Sequence, residues 1–184
     1  MNLRNRGTRT TAVAALTTLA LGVAAPAMAE RIGVSDPADA SASLSDIRRV
    51  TVDHGPEQVF VKVAFTELRP RSDAGPSSLA VFLDTNPTRK GPEYRLGTGL
   101  QRGTDYQLMR VKDWKPVGEP LTCEHHLRLD FAANVAKFRV TRACLRTPDE
   151  VRVGVKMTDL YDASHPVHDW LGAPRSFTTW VASS

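Results

Sequence analysis

Gln58-Val59-Phe60-Val61-Lys62-Val63-Ala64-Phe65-Thr66 is the stretch that decides the fold class. Val59, Val61, Val63 and Phe65 fall on one side of an extended chain, and Lys62 and Thr66 on the other. Strict alternation over this length describes a strand with one buried and one wetter face. Just before it, Arg49–Asp53 alternates with Val50 and Val52 inward, and His54-Gly55-Pro56 supplies a turn between the two runs. Further on, Val151, Val153, Val155 and Met157 oppose Arg152 and Lys156 in a third alternating run. Leu79–Leu83 is apolar on both faces, as a central strand would be. Tyr106–Val111 and Ser176–Val181 add weaker candidates, and no window carries a helical stripe longer than two turns. About eight to ten short strands separated by Gly, Pro and Asp predict an all-β, antiparallel two-sheet sandwich, jelly-roll-like in form. There is no internal repeat.

The N-terminus has a different character. Arg4, Arg6 and Arg9 form a basic start without acids, Thr11–Ala25 is apolar, and Ala27-Met28-Ala29 follows. That order describes a secretory signal peptide over residues 1–29, cut after Ala29. A membrane anchor fits less well, since the apolar run is short and Pro26 ends it. Without residues 1–29, 21 basic residues face 20 acidic ones. A pI of about 9.3 therefore owes much to the leader, and charge alone recruits neither nucleic acid nor a membrane. The remaining 155 residues suit one domain, expected to be extracellular and monomeric. Residues 30–45 are rich in Ala, Ser and Asp and read as a flexible lead, leaving residues 46–184 as the sandwich.

Cys123 and Cys144 are the two cysteines, and in an exported chain such a pair reads as a disulfide. Pairing the segments around them so that Cys123 faces Cys144 also sets Leu127 opposite Val140, Leu129 opposite Phe138 and Asp130 opposite Lys137. The loop would then be residues 132–135, and the cost is Arg128 facing Arg139.

Motifs for catalysis are missing. There is no G-x-S-x-G, no H-E-x-x-H, no zinc spacing, no EF-hand loop and no phosphate-binding glycine loop. The chain is therefore expected not to be an enzyme. His125 and His126 are neighbours on a strand and point to opposite faces, so they cannot share a metal. Asp162, His165, His168 and Asp169 form a polar cluster open to acid–base or metal chemistry, or simply to an exposed loop. Asp84 and Glu93, with Asn86, offer hard oxygen ligands of the type calcium takes, against the alternative of a solvated turn. The phenylalanines on strands, Phe60, Phe65, Phe82, Phe131 and Phe138, are assigned to the core. Tyr94, Tyr106, Trp114 and Trp170 lie in or beside loops and could bury a sugar ring at low entropic cost, or could cap the ends of the sandwich.

The segments 83–96 (LDTNPTRKGPEYRL) and 141–155 (TRACLRTPDEVRVGV) carry a resemblance to uncharacterised secreted proteins of high-GC Gram-positive bacteria, extending over residues 45–181. More distantly, the chain resembles the sandwich of family 9 carbohydrate-binding modules and DOMON-type domains. That resemblance implies export and a ligand-binding sandwich; those domains hold sugars or, in some branches, haem, and no axial His or Met pair is legible here. Two functions follow as expectations. One is a non-catalytic module for carbohydrate or another extracellular ligand, using Tyr94, Tyr106, Trp114 and Trp170 with calcium at Asp84 and Glu93. The other is a protein-interaction module, an inhibitor or envelope-associated partner, contacting through residues 69–78.

Overall fold

In the computed structural model, residues 30–71 and 75–184 are described; the expected leader lies outside them, as do residues 72–74 of the polar loop. Twelve strands form two antiparallel sheets. The five-stranded sheet has the order β1 (Glu30–Ser35), β2 (Ile47–His54), β3 (Gln58–Phe65), β9 (Val135–Thr141), β8 (His125–Asp130). The second sheet runs β11 (Val167–Trp170), β10 (Glu150–Asp159), β4 (Ser77–Asp84), β5 (Tyr94–Gly99), β6 (Tyr106–Lys112), β7 (Lys115–Val117), and β12 (Val181–Ala182) also pairs with β10. The protein is a β-sandwich.

Alternation decides which residues lie between the sheets. Val50, Val52, Val59, Val61, Val63 and Phe65 of one sheet meet Leu79, Val81, Leu83, Leu96, Leu108, Val151, Val153, Val155 and Met157 of the other in one buried core. Each such side chain contributes roughly 1.5–3 kcal/mol through burial. Leu79–Leu83 lies in β4, between β10 and β5, and its two apolar faces are explained by cover on both sides. Phe60 departs from the core assignment. Its neighbours Val59 and Val61 point inward, so its ring is turned out and 45% exposed.

Residues 30–45 do not form the flexible lead that their composition suggests. Glu30–Ser35 is an edge strand in register with Ser35 opposite Arg49 and Glu30 opposite His54. Ile32 and Val34 pack against the core, which two alternating apolar residues suffice to do at a sheet edge. Ser176–Val181 shrinks to the two residues of β12. Ahead of it, the Thr178 amide donates to the Val153 carbonyl, and the Thr178 hydroxyl accepts from the Val153 amide. A side chain thus replaces half of the ladder there.

The disulfide joins Cys123 and Cys144, with their Cα atoms 5.5 Å apart. The expected register is corrected by two residues. His125 faces Val140, Leu127 faces Phe138 and Leu129 faces Ala136, with residues 131–134 as the loop. Cys144 has left the strand for a single 3-10 turn, Arg142–Leu145, so the crosslink forms outside the ladder and does not set it. Asn134 closes the loop at φ +55°, a left-handed conformation that Asn tolerates, and its side chain accepts from the Leu68 amide. Asp130 still reaches Lys137 diagonally at 3.2 Å. Arg128 faces Lys137 rather than Arg139.

His54 is wholly buried at the end of β2. Its Nδ1–H donates to the Val181 carbonyl, 2.9 Å away, while Nε2 has no partner among the described residues. Burial holds its pKa below the usual histidine value; the Val181 hydrogen bond opposes this, Arg142 adds to it, and Asp149 and Asp53 oppose it. A depressed histidine pKa contributes stability that is present above the unfolded pKa, near 6.5, and is lost as pH falls through the folded value. Urea unfolding of the protein and of His54→Gln at pH 8 and at pH 5 should show the wild type losing more stability than the variant on acidification. Equal losses would contradict this role. Replacing both cysteines by serine should cost about 3 kcal/mol in the same assay, from the loop of about 20 residues that the disulfide closes.

Candidate functional site

The outer face of the second sheet carries the densest set of chemically useful side chains. Alternation that sends Leu79, Val81 and Leu83 inward sends Ser78, Ala80, Phe82 and Asp84 outward. Phe82 is buried there rather than in the inner core, because aromatic rings cover it. The Trp114 ring lies 4.9 Å from Phe82 edge-on, and the Trp170 ring stacks on Phe82 at 5.9 Å. Trp114 and Trp170 are 5.7 Å apart, and Phe177 lies 5.0 Å from Trp114. Trp114 reaches this position from the β6–β7 turn, where Asp113 and Trp114 both adopt positive φ. Phe177 reaches it because Gly154 leaves room. A Cβ at Gly154 would lie 2.9 Å from the Ser176 carbonyl oxygen and 3.3 Å from the Phe177 ring.

Cations surround these rings. The Arg152 guanidinium sits 4.6 Å from both the Phe177 and Trp180 ring centres, Lys156 lies 5.7 Å from Trp170, and Arg175 lies 6.0 Å from Trp114. One hydrogen-bonded row crosses the sheet through Trp170, Lys156, Ala80, Gly97 and Gln107. Arg95 folds across this row, its guanidinium nitrogen 2.7 Å from where a Gly97 Cβ would stand. A polar cavity of about 370 Å³ opens at this point, lined by Ser78, Arg95, Gly97, Gly99, Asp105 and Gln107. Gly97 and Gly99 leave room there that the Arg95 and Thr104 side chains fill, so Arg95, Ser78, Asp105 and Gln107 present the polar surface a ligand would meet. Neither Arg95 nor Lys156 is ion-paired among the described residues. Burial lowers the pKa of Arg95; it does the same for Lys156, where Arg95 adds to the effect. His168, also lowered by burial and then by Lys156, is exposed at the end of the next row and contacts the Thr158 hydroxyl at 3.1 Å.

Of the four predicted ligand-binding aromatics, Trp114 and Trp170 come together. Tyr94 is corrected. It is the first residue of β5, only 3% exposed, and its ring belongs to the inner core; burial raises its hydroxyl pKa. Tyr106 is also on an inward position, at the open end of the sandwich between His125 and His126, with ring centres 5.7 and 6.2 Å away. In both cases the strand begins at the tyrosine itself, and parity then fixes its side.

The expected calcium ligands are occupied by protein groups. Asp84 is fully buried and receives Arg152 through two nitrogens at 2.9 and 2.6 Å. Glu93 accepts from the Thr85 amide at 2.8 Å and from its hydroxyl, with Arg89 at 3.9 Å. Burial raises the Glu93 pKa, with a smaller contribution in the same direction from Asp84. A guanidinium thus supplies the positive charge at Asp84. Truncating one side of such a buried pair typically costs about 3–5 kcal/mol. Arg152→Ala should lower stability by that amount in denaturant unfolding, and a loss below about 1 kcal/mol would mean that Asp84 finds another partner.

The cluster at residues 162–169 does not converge. Asp162 holds Ser164 and His165 within its own exposed turn, at 2.5 and 3.0 Å. His168 faces outward on β11, while Asp169 faces inward and is 3% exposed. The Asp169 carboxylate accepts from the Ile47 amide at 2.6 Å. Burial, reinforced by Asp36, Asp46 and Asp39, pushes its pKa up to about 6. Asp36, Asp39 and Asp169 bring one oxygen each to within 4.8 Å of one another, forming a three-carboxylate group that spans two parts of the chain more than 120 residues apart. The sequence reading missed both this group and the cationic row, because each is assembled by long-range pairing.

Comparison with known proteins returns no match: no family model fits the chain, and neither a curated protein nor a solved structure is similar to it.

Proposed function

We propose that the protein is a secreted, non-catalytic binding module for carbohydrate bearing negative charge, held across the outer face of the second sheet between the cavity at Arg95 and Trp170. The observation that carries this reading is that two half-buried cations without an ion-pair partner among the described residues, Arg95 and Lys156, share one outer face with a polar cavity at Arg95 and the Trp170 indole beside Lys156. An aromatic face buries a pyranose ring with few rotamers frozen, and Gln107, Asp105 and Ser78 offer hydroxyl partners. Arg95 presents a planar fork suited to a carboxylate or sulfate. The likeness of the sandwich to carbohydrate-binding modules, noted from the sequence, supports the same reading, and the signal-like N-terminus supports export.

The alternative, an interaction module with an acidic protein partner, is favoured by the outer face of the five-stranded sheet. Lys62, Lys137 and Arg128 stand directly opposite one another on three successive strands. Like charges in that arrangement destabilise a sheet. Arg31, Arg49 and Arg139 lie on the same face, against Asp53 and the Lys137 partner Asp130, and a cavity of about 450 Å³ lies beside Arg31, Arg49 and Lys62.

Affinity chromatography on polygalacturonate and on neutral glucans distinguishes the two faces. The carbohydrate reading expects retention on polygalacturonate alone, weakened at least tenfold, or about 1.4 kcal/mol, by Arg95→Met and by Trp170→Ala. If Lys62→Glu with Arg128→Glu abolishes retention and the Arg95 and Trp170 variants leave it unchanged, the cationic face is the binding surface. Preference for neutral glucans would contradict the charged-ligand assignment.

A further inference from the structure

Asp36 follows β1, Asp39 lies three residues on in the β1–β2 connection, and Asp169 sits on the inward side of β11. We infer that these three carboxylates form a site for a divalent cation of calcium's size, clamping the β1–β2 connection to the end of β11. The spacing fits such an ion. Calcium binds oxygen at about 2.3–2.6 Å, so opposed ligands stand up to roughly 5 Å apart, and the three oxygens here lie within 4.8 Å of one another.

A second observation points to a ligand. Asp36 is 5% exposed; one of its oxygens accepts the Gly172 amide at 2.7 Å, and the other is fully buried without a hydrogen-bond donor among the described residues. A buried carboxylate oxygen is seldom left in that state. The cation whose charge reaches Asp36, Arg48, is itself held by another acid. Asp46 adds a fourth acid, with its oxygens committed to the Ala40 amide, the Thr66 hydroxyl and Arg48, and Arg48 pairs with Asp46 at 3.2 Å. Burial first, and the neighbouring carboxylates after it, raise the pKa of both Asp36 and Asp169. Exposed Asp39 provides the route in from solvent. Asp169 and Trp170 are adjacent on β11 and face opposite sides, so the cation would brace the strand that carries Trp170. The site does not depend on the carbohydrate reading.

The test is calorimetric titration of the chelator-treated protein with calcium chloride near neutral pH, alongside thermal unfolding. One bound ion is expected, and at about a hundredfold excess over Kd the unfolding midpoint should rise by roughly 5–10 °C. Asp39→Asn, an exposed change that leaves the fold intact, and Asp36→Asn should each weaken calcium binding at least tenfold. In chelator, both variants should unfold at or above the wild-type midpoint, because a like charge has been removed. Absence of binding would overturn the inference. So would calcium affinity unchanged in both variants, and its loss in Asp84→Asn instead would place the ion with Asp84 and Glu93.

Discussion

The inner faces of β3, β4 and β10 pack against one another, and both outer surfaces depend on that contact. Val59, Val61, Val63 and Phe65 have nowhere else to be buried, and the period of two then dictates where every intervening residue goes. Lys62 and Phe60 must face solvent on one sheet. Arg152, Gly154 and Lys156 must face outward on the other. Hydrophobic burial thus places the charged groups indirectly, by claiming the alternate positions.

The margin of the sandwich where β2 approaches β10 and β11 is closed by different physics. There the chain uses carboxylates to satisfy backbone amides: Asp169 accepts from Ile47, Asp36 from Gly172, Asp46 from Ala40. Ser43 donates to Asp159 at 2.6 Å, and buried His54 reaches Val181. A polar margin of this kind meets the hydrogen-bond needs of irregular backbone that an apolar margin would leave unmet. It also concentrates negative charge on one side of the molecule, while cations gather on the two outer faces. The near-neutral balance of residues 30–184 conceals that separation.

Gly154 and Gly97 show how small positions shape the outer face. At Gly154 the missing side chain admits Phe177 and the chain preceding β12, and at Gly97 it lets Arg95 lie flat on the sheet. Trp114 then covers Phe82 from a turn in left-handed conformation. Gly154 and Gly97 stand on β10 and β5, on either side of β4, and their missing Cβ atoms let Phe177 and Arg95 settle against the sheet.

The alternating runs at Gln58–Thr66, Arg49–Asp53 and Val151–Met157, the doubly apolar Leu79–Leu83 and the cysteine pair were enough to determine an antiparallel sandwich with one disulfide, because local periodicity and burial state the same thing. The sequence also brought forward Trp114 and Trp170. It could not separate them from Tyr94 and Tyr106, since that depends on where a strand starts, and one residue of shift moves a side chain to the opposite face. Register between β8 and β9 went to packing rather than to the disulfide, as Cys144 turns out of the strand. Tertiary structure alone decided that Lys62, Lys137 and Arg128 stand in line, that Asp84 belongs to Arg152, and that Asp36 and Asp39 meet Asp169. Each of these joins residues at least nine apart, most of them dozens apart, and charge proximity over such separations is created by sheet pairing, which no local pattern of residues encodes.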